Sequence, residues 1–138
     1  MLDPAEVAAR TAWGEARGEG LSGMQAVLNA IGNRAAYPGW WGHGIAGVCL
    51  APGQFSCWNV DDPNREKLIS VDVADKVFLA ALNLARRLCA AELPDLTTGA
   101  DSYYAAGSRR PLWARDAFFK ISIGRHRFYR VGLMGDGR

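Results

Sequence analysis

A carboxylate stands where the helical pattern asks for an apolar side chain. In the run Trp13-Gly14-Glu15-Ala16-Arg17-Gly18-Glu19, helical spacing puts Val7, Ala8, Thr11, Ala12 and Glu15 on one face, so Glu15 closes an otherwise apolar stripe. Burial disfavours the charged form of a carboxylate, which suits a group that must hold a proton near neutrality and release it in a reaction. Position alone leaves a second reading open, a glutamate at a helix end turned to solvent or paired with Arg17 or Arg34. Glu19, one helical turn on, is the candidate second carboxylate. Gly18 is read as ending the helix between the two, which makes Glu19 a solvated loop residue pointing away.

Cys49, Cys57 and Cys89 match no zinc pattern and the two histidines, His43 and His126, are far apart in sequence, so neither a metal nor a cofactor is expected. Cys57 with His126 is the one Cys–His pair worth naming for nucleophilic chemistry. Cys49 and Cys57 flank the Pro52-Gly53 turn signal and are read as a possible disulfide across a hairpin outside the cytoplasm, with two buried thiols as the alternative. Cys89 reads as helix core.

These residues need elements to hold them. The chain has 138 residues, 49% hydrophobic and 22% charged, enough for one globular domain with a single core. A net charge of +2, with no basic stretch interleaved with aromatics, argues against a nucleic-acid partner. No stretch has the length of a membrane span or the pattern of a signal peptide, so synthesis in the cytoplasm without stable membrane insertion is expected.

Asp3-Pro4-Ala5-Glu6 reads as a capping box opening a helix from Pro4 to about Arg17, stopped by Gly18 and Gly20. Ser22, with Gln25 three residues on, reads as the cap of a second helix to about Arg34, carrying the stripe Met24, Val27, Leu28 and Ile31. From Tyr37 to about Ser70 the chain is rich in Gly, Pro and Trp, with short strands expected over Gly47–Leu50 and Gln54–Trp58. A third helix is predicted from about Val71 to Ala91, burying Val73, Val77, Phe78, Ala81, Leu82, Ala85 and Leu88. Then the period changes. Phe119, Ile121 and Ile123 alternate with polar residues, Gly124-Arg125 offers a two-residue turn, and Arg127 to Val131 returns, so Ile121 faces Phe128 and Ile123 faces His126. His126 then points to the apolar face, as a core histidine or a site residue. The tail 132–138 reads as frayed.

Together the segments resemble the SleB family of cell wall hydrolases. The matching text is Ala12 to Gly20, then Gly23 to Asn29 with Asn33-Arg34, and Pro52-Gly53-Gln54-Phe55-Ser56-Cys57. It continues through Thr98-Gly99-Ala100, Tyr103-Tyr104 and Trp113, and ends with Ile123-Gly124, His126, Phe128 and Tyr129. The resemblance implies an α+β, mainly helical, lysozyme-like body of the lytic-transglycosylase type with a small antiparallel sheet beside the cleft. It implies peptidoglycan glycan strands as substrate, cut at the β-1,4 bond between N-acetylmuramic acid and N-acetylglucosamine, with Glu15 as the catalytic acid.

Ordinary glycosidases need two carboxylates, whereas a transglycosylase manages with one because the substrate supplies its own acetamido group and 6-hydroxyl. The rival is a hydrolytic muramidase in which Glu19 or Asp101 positions water; a non-catalytic wall-binding module is a more distant one. Sugar rings need flat faces, for which Trp40, Trp41, Trp58, Tyr103, Tyr104 and Trp113 are candidates, with Gln54 as a polar contact and Phe55 and His126 added by the resemblance. Trp13 and Phe128 read as core. Arg109, Arg110, Arg125, Arg127 and Arg130 read by default as solvated surface, with contact to anionic wall polymer or outer-membrane lipid as the alternative. A monomer is expected, released to the wall, for example through a holin, as a phage or prophage lysis protein.

Overall fold

The computed structural model describes residues 3–37 and 39–138. Helix α1 (Pro4–Ala16) starts as the sequence predicts: the Asp3 carboxylate accepts from the Ala5 N–H at 3.0 Å, and Pro4 has no N–H to satisfy. Glu6 pairs with Arg10 at 3.7 Å instead of closing the capping box. The α-helix ends at Ala16 with Arg17 as its cap, within a residue of the expected end, but the chain does not open into a loop at Gly18. It tightens into a 3₁₀ turn over Arg17–Glu19 and breaks at Gly20, whose φ of +77° suits a residue without Cβ. Helix α2 (Gly20–Ala35) begins there, ahead of the expected Ser22 cap, with Glu19 in the capping position.

Neither short strand expected between Tyr37 and Ser70 forms. Gly47–Leu50 lies in helix α3 (Gly44–Leu50), and Ser56–Trp58 is a 3₁₀ turn. Val48 and Cys49 are adjacent and both buried, which a strand with one face on the core cannot achieve because consecutive side chains point to opposite sides. Helix α4 (Pro63–Ser70) follows, capped by Asp62 as α1 is capped by Asp3. The Arg10 guanidinium donates to the carbonyls of Leu68 at 2.6 Å and Val71 at 2.8 Å, tying the end of α4 to α1. Helix α5 (Lys76–Cys89) starts at the Asp75 cap rather than at Val71. Phe78, Ala81, Leu82 and Ala85 are buried as predicted, together with Leu84, but Val73 and Val77 are exposed. Helix α1 touches α2, α3, α4 and α5, and its Ala8, Ala9, Ala12 and Ala16 let these neighbours approach closely.

Strands β1 (Ser102–Ala105), β2 (Phe119–Ile123) and β3 (His126–Tyr129) form an antiparallel sheet in the order β1-β3-β2. The predicted register holds: Ile121 pairs with Phe128 and Ile123 with His126, across a turn whose Gly124 has φ +58°. One sheet face, with Tyr103, Ile121, Ile123 and Phe128, packs on Ala26 and Ala30 of α2. The other carries Tyr104 and Tyr129 beneath Trp113. The link into β1 is anchored on α2: the Asn33 amide donates to Asp95 at 3.0 Å and to the Ala100 carbonyl at 2.8 Å. The tail read as frayed folds back, with the Gly137 N–H donating to the Val131 carbonyl at 2.7 Å. No helix among the described residues is long and apolar enough to cross a membrane.

Cys49 and Cys57 are free, buried thiols, carried by α3 and the 3₁₀ turn and not by the expected hairpin. Burial pushes the Cys49 thiol up to about 12 and the Cys57 thiol well above its usual range, so neither is a nucleophile at neutral pH. A thiol reagent such as dithionitrobenzoate should therefore titrate the exposed Cys89 in native protein and the other two only after unfolding, and reductant should leave the melting temperature unchanged. A Cys49–Cys57 linkage in a non-reducing peptide map of active protein would contradict this.

Candidate active site

Glu15 sits on the last turn of α1, where Val7, Ala8, Thr11 and Ala12 of the same stripe are buried and Glu15 itself is half-buried. Past it the stripe runs out of protein to pack against and opens on a cavity of about 310 Å³, lined by Glu15, Ala16, Gly18, Glu19, Ala105, Gly107, Arg125 and His126. The Tyr103 hydroxyl of β1 donates to Glu15 Oε1 at 2.7 Å. Burial first, and the Glu15 charge second, hold the Tyr103 phenol well above its usual range, so it is a neutral donor at any working pH. The basic partners of the second reading, Arg17 and Arg34, are engaged elsewhere: Arg17 stacks on Trp13 and bonds Asn64, and Arg34 bonds the Asp101 carbonyl at 2.6 Å.

Glu19 does not point away. Its Oε1 accepts from the Arg125 backbone N–H at 2.8 Å, and Oε2 lies 3.5 Å from the Arg125 guanidinium. The carboxylate thus bridges the α1–α2 elbow to the β2–β3 turn, in a slot cut to fit. A Cβ on Gly23 would come within 2.4 Å of Glu19 Cβ, and one on Gly124 within 3.2 Å of Glu19 Oε1. The Arg125 backbone N–H holds the Glu19 carboxyl below its usual range against the opposing effect of burial. A carboxyl whose folded value is depressed contributes stability that is present above its unfolded value, about 4.5, and lost as pH falls through the folded one. Acid unfolding should accordingly begin at higher pH and be shallower below about pH 4.5 in Glu19→Gln than in the wild type, as followed by circular dichroism. Identical profiles would mean that the contact stores no stability.

Asp101, the other carboxylate of the muramidase reading, is fully buried and accepts from the Val131 and Gly132 N–H groups, each at 2.9 Å, and from the Ser102 hydroxyl at 3.0 Å. It has no face for water. Cys57 and His126 do not form a nucleophilic pair: the Cys57 thiol is buried against Gly14 in the main core, and the His126 ring packs on Tyr103 and Phe128 of the sheet. Among the described residues no group of His, Cys, Asp and Glu is placed to hold a metal.

On the other side of Tyr103 a cavity of about 460 Å³ is lined by Arg34, Trp40, Trp41, Gly53, Gln54, Ser102, Tyr103, Trp113 and the segment from Val131 to Gly135. Arg34, stacked over Phe55 and Trp41, donates to Gln54 Oε1 at 3.2 Å, which leaves the Gln54 amide nitrogen as a donor. Gln54, Tyr103 and Trp113 therefore line this cavity, while His126 lines the Glu15 cavity. The other three do not reach either. Phe55 is core beneath Arg34. The Trp58 indole donates to Thr11 Oγ1 at 2.9 Å and lines a separate groove with Arg10, Leu50 and Ile69. Tyr104 lies on the opposite sheet face, 6.3 Å from Trp113 and 5.9 Å from Tyr129 between ring centroids. Trp13 and Phe128 are core, as read. Sequence reasoning missed Arg34 and the 131–135 segment as walls; the signal for the first was its place in the apolar stripe of α2.

Residues 18–129 match the family model described as Cell Wall Hydrolase. The chain belongs to the cell wall hydrolase family. It is a peptidoglycan-degrading enzyme, and its fold agrees with that family. The catalytic domain of the Bacillus cereus SleB protein superposes with a TM-score of 0.67 at 23% identity, covering 91% of this chain and 88% of that one. The catalytic domain of the germination-specific lytic transglycosylase SleB from Bacillus anthracis gives 0.67 at 22% identity, covering 91% and 93%. No curated protein matches the chain. The family match begins at Gly18, just beyond Glu15, and includes Glu19. Which glutamate is the acid of this cell wall hydrolase is consequently a question for geometry: Glu19 is tied to Arg125, and Glu15 faces the cavity with a single fixed donor.

Proposed function

We propose that this enzyme is a lytic transglycosylase, cleaving the β-1,4 bond between N-acetylmuramic acid and N-acetylglucosamine with Glu15 as both acid and base. The observation that carries the reading is the fate of the three carboxylates: Asp101 is taken up by backbone N–H groups in the core, Glu19 shares the cavity wall but is tied to the Arg125 N–H and guanidinium, and Glu15 faces the cavity with the Tyr103 hydroxyl as its one donor. Glu15 gives its proton to the glycosidic oxygen as the C1–O bond breaks. The acetamido oxygen of the muramyl residue stabilises the cationic carbon. Glu15 then takes the proton of the muramyl 6-hydroxyl, whose oxygen bonds C1, so a 1,6-anhydro sugar forms and no water is consumed. The glycan strand would run from the Glu15 cavity past Tyr103 into the cavity walled by Trp40, Trp41, Gln54 and Trp113.

Because peptidoglycan lies outside the cytoplasmic membrane, the enzyme acts there after leaving the cytoplasm. Reaction type is tested by treating digested peptidoglycan with borohydride. Ends that resist reduction are expected, and reducible muramic acid ends would overturn the reading in favour of a muramidase.

A further inference from the structure

His126 is only 9% exposed, and its Nδ1 is buried with no hydrogen-bond partner among the described residues. Buried polar atoms are nearly always paired, so an orphan in the wall of the Glu15 cavity calls for an explanation. The ring is held in place. Its residue pairs with Ile123 on one side and Ala105 on the other, and its centroid lies 4.9 Å from that of Tyr103 and 6.2 Å from that of Phe128. The charged and titratable groups around it are Glu15, Glu19 and Arg125, with the Tyr103 phenol against its face.

A neutral imidazole carries one N–H and one lone pair. Placing the proton on Nδ1 would bury a donor without an acceptor, the rarer and costlier kind of orphan, whereas a buried lone pair is the lesser loss. The proton accordingly belongs on Nε2. Charging the ring would bury the Nδ1–H as well, and burial outweighs the two glutamates in keeping the imidazole on the neutral side of its usual range. Neutrality matters here, because a fixed cation beside Glu15 would favour the carboxylate over the acid that must protonate the leaving oxygen.

We infer that His126 acts on the bound substrate as a fixed hydrogen-bond donor: its buried, unpartnered Nδ1 locks the ring as the Nε2–H tautomer, and that N–H donates to an oxygen of the sugar in the Glu15 cavity. This rests on Glu15 being the acid, and it deepens that reading by assigning the cavity wall a neutral donor rather than a second acid or base. It fixes the orientation of the sugar without taking part in proton transfer.

The test has two arms. Long-range ¹⁵N–¹H NMR on the labelled wild-type protein should show His126 as the Nε2–H tautomer at neutral pH, titrating below the ordinary histidine value of about 6.5. On soluble glycan strands, His126→Leu should lose roughly ten-fold in kcat/KM, the worth of one good hydrogen bond, while His126→Gln, whose amide can donate from the same reach, should stay within about three-fold of wild type. An Nδ1–H or doubly protonated ring at neutral pH, a folded Leu variant with wild-type kcat/KM, or a folded Gln variant as impaired as Leu would each overturn the assignment. If Leu does not fold, the tautomer of the wild type decides. Failure of the transglycosylase reading would appear separately, as reducible product ends in the wild type.

Discussion

Glu15→Gln should lower the rate of peptidoglycan solubilisation by about a hundred- to ten-thousand-fold, the usual cost of removing a positioned acid or base. The amide keeps an oxygen to accept from Tyr103, and the side chain is half-buried at a helix end, so the melting temperature should move by no more than about two degrees. Glu19→Gln makes the reverse pattern: it loses the charge-assisted bond to Arg125 and weakens the hold of the elbow on the β2–β3 turn, with a smaller effect on rate. Turbidity clearance and thermal unfolding on both variants separate the two. A Glu15→Gln enzyme that clears at nearly the wild-type rate, beside a stable but inactive Glu19→Gln, would show that the acid belongs to the other glutamate.

The largest stability effect is expected at Asp101. Its carboxylate collects two backbone N–H groups and the Ser102 hydroxyl, lies 3.8 Å from the Arg130 guanidinium, and is wholly buried. Its own carbonyl accepts from Arg34, so one residue ties β1, the chain after β3 and α2 together. Asp101→Ala leaves these donors and the Arg130 charge without a partner, which typically costs about 3–5 kcal/mol. For a chain of this length that is a fall in melting temperature of about ten degrees or more. Products released well below the new midpoint should be the same as those of the wild type. A stable Asp101→Ala protein with a collapsed rate would instead make Asp101 part of the chemistry.

Elements whose signals are local were legible in the sequence. Asp3-Pro4 starts α1, the apolar spacing of Phe78, Ala81, Leu82 and Ala85 marks α5, and the alternation about Gly124-Arg125 sets the register of β2 and β3. Helix α4 was missed although Asp62-Pro63 repeats the signal of Asp3-Pro4, because Leu68 is its one buried residue and no periodic stripe drew attention to it. Helix α3 was missed because its run Gly44–Leu50 is short and glycine-rich.

In the site, Glu15 stood out because a charge in an apolar stripe is a local anomaly. The partners that define it are distant. Tyr103 reaches Glu15 across 88 positions, and Arg125 reaches Glu19 across 106, so no local pattern reveals either bond. For the same reason Gly18 suggested a loop glutamate, when the 3₁₀ turn carries Glu19 to the hairpin. Trp58 and Tyr104 had the right chemistry for a sugar face, but their placement depends on which side of α1 and of the sheet they reach.

The central claim, one carboxylate and no water in the reaction, is tested most directly by mass spectrometry of soluble muropeptides after digestion of purified peptidoglycan in ¹⁸O-labelled water. The account predicts fragments ending in 1,6-anhydro-N-acetylmuramic acid, one water lighter than hydrolytic products and free of label. Muramic acid ends carrying ¹⁸O would contradict it, and would require a water-positioning group that neither Glu19 nor Asp101, as bonded here, supplies.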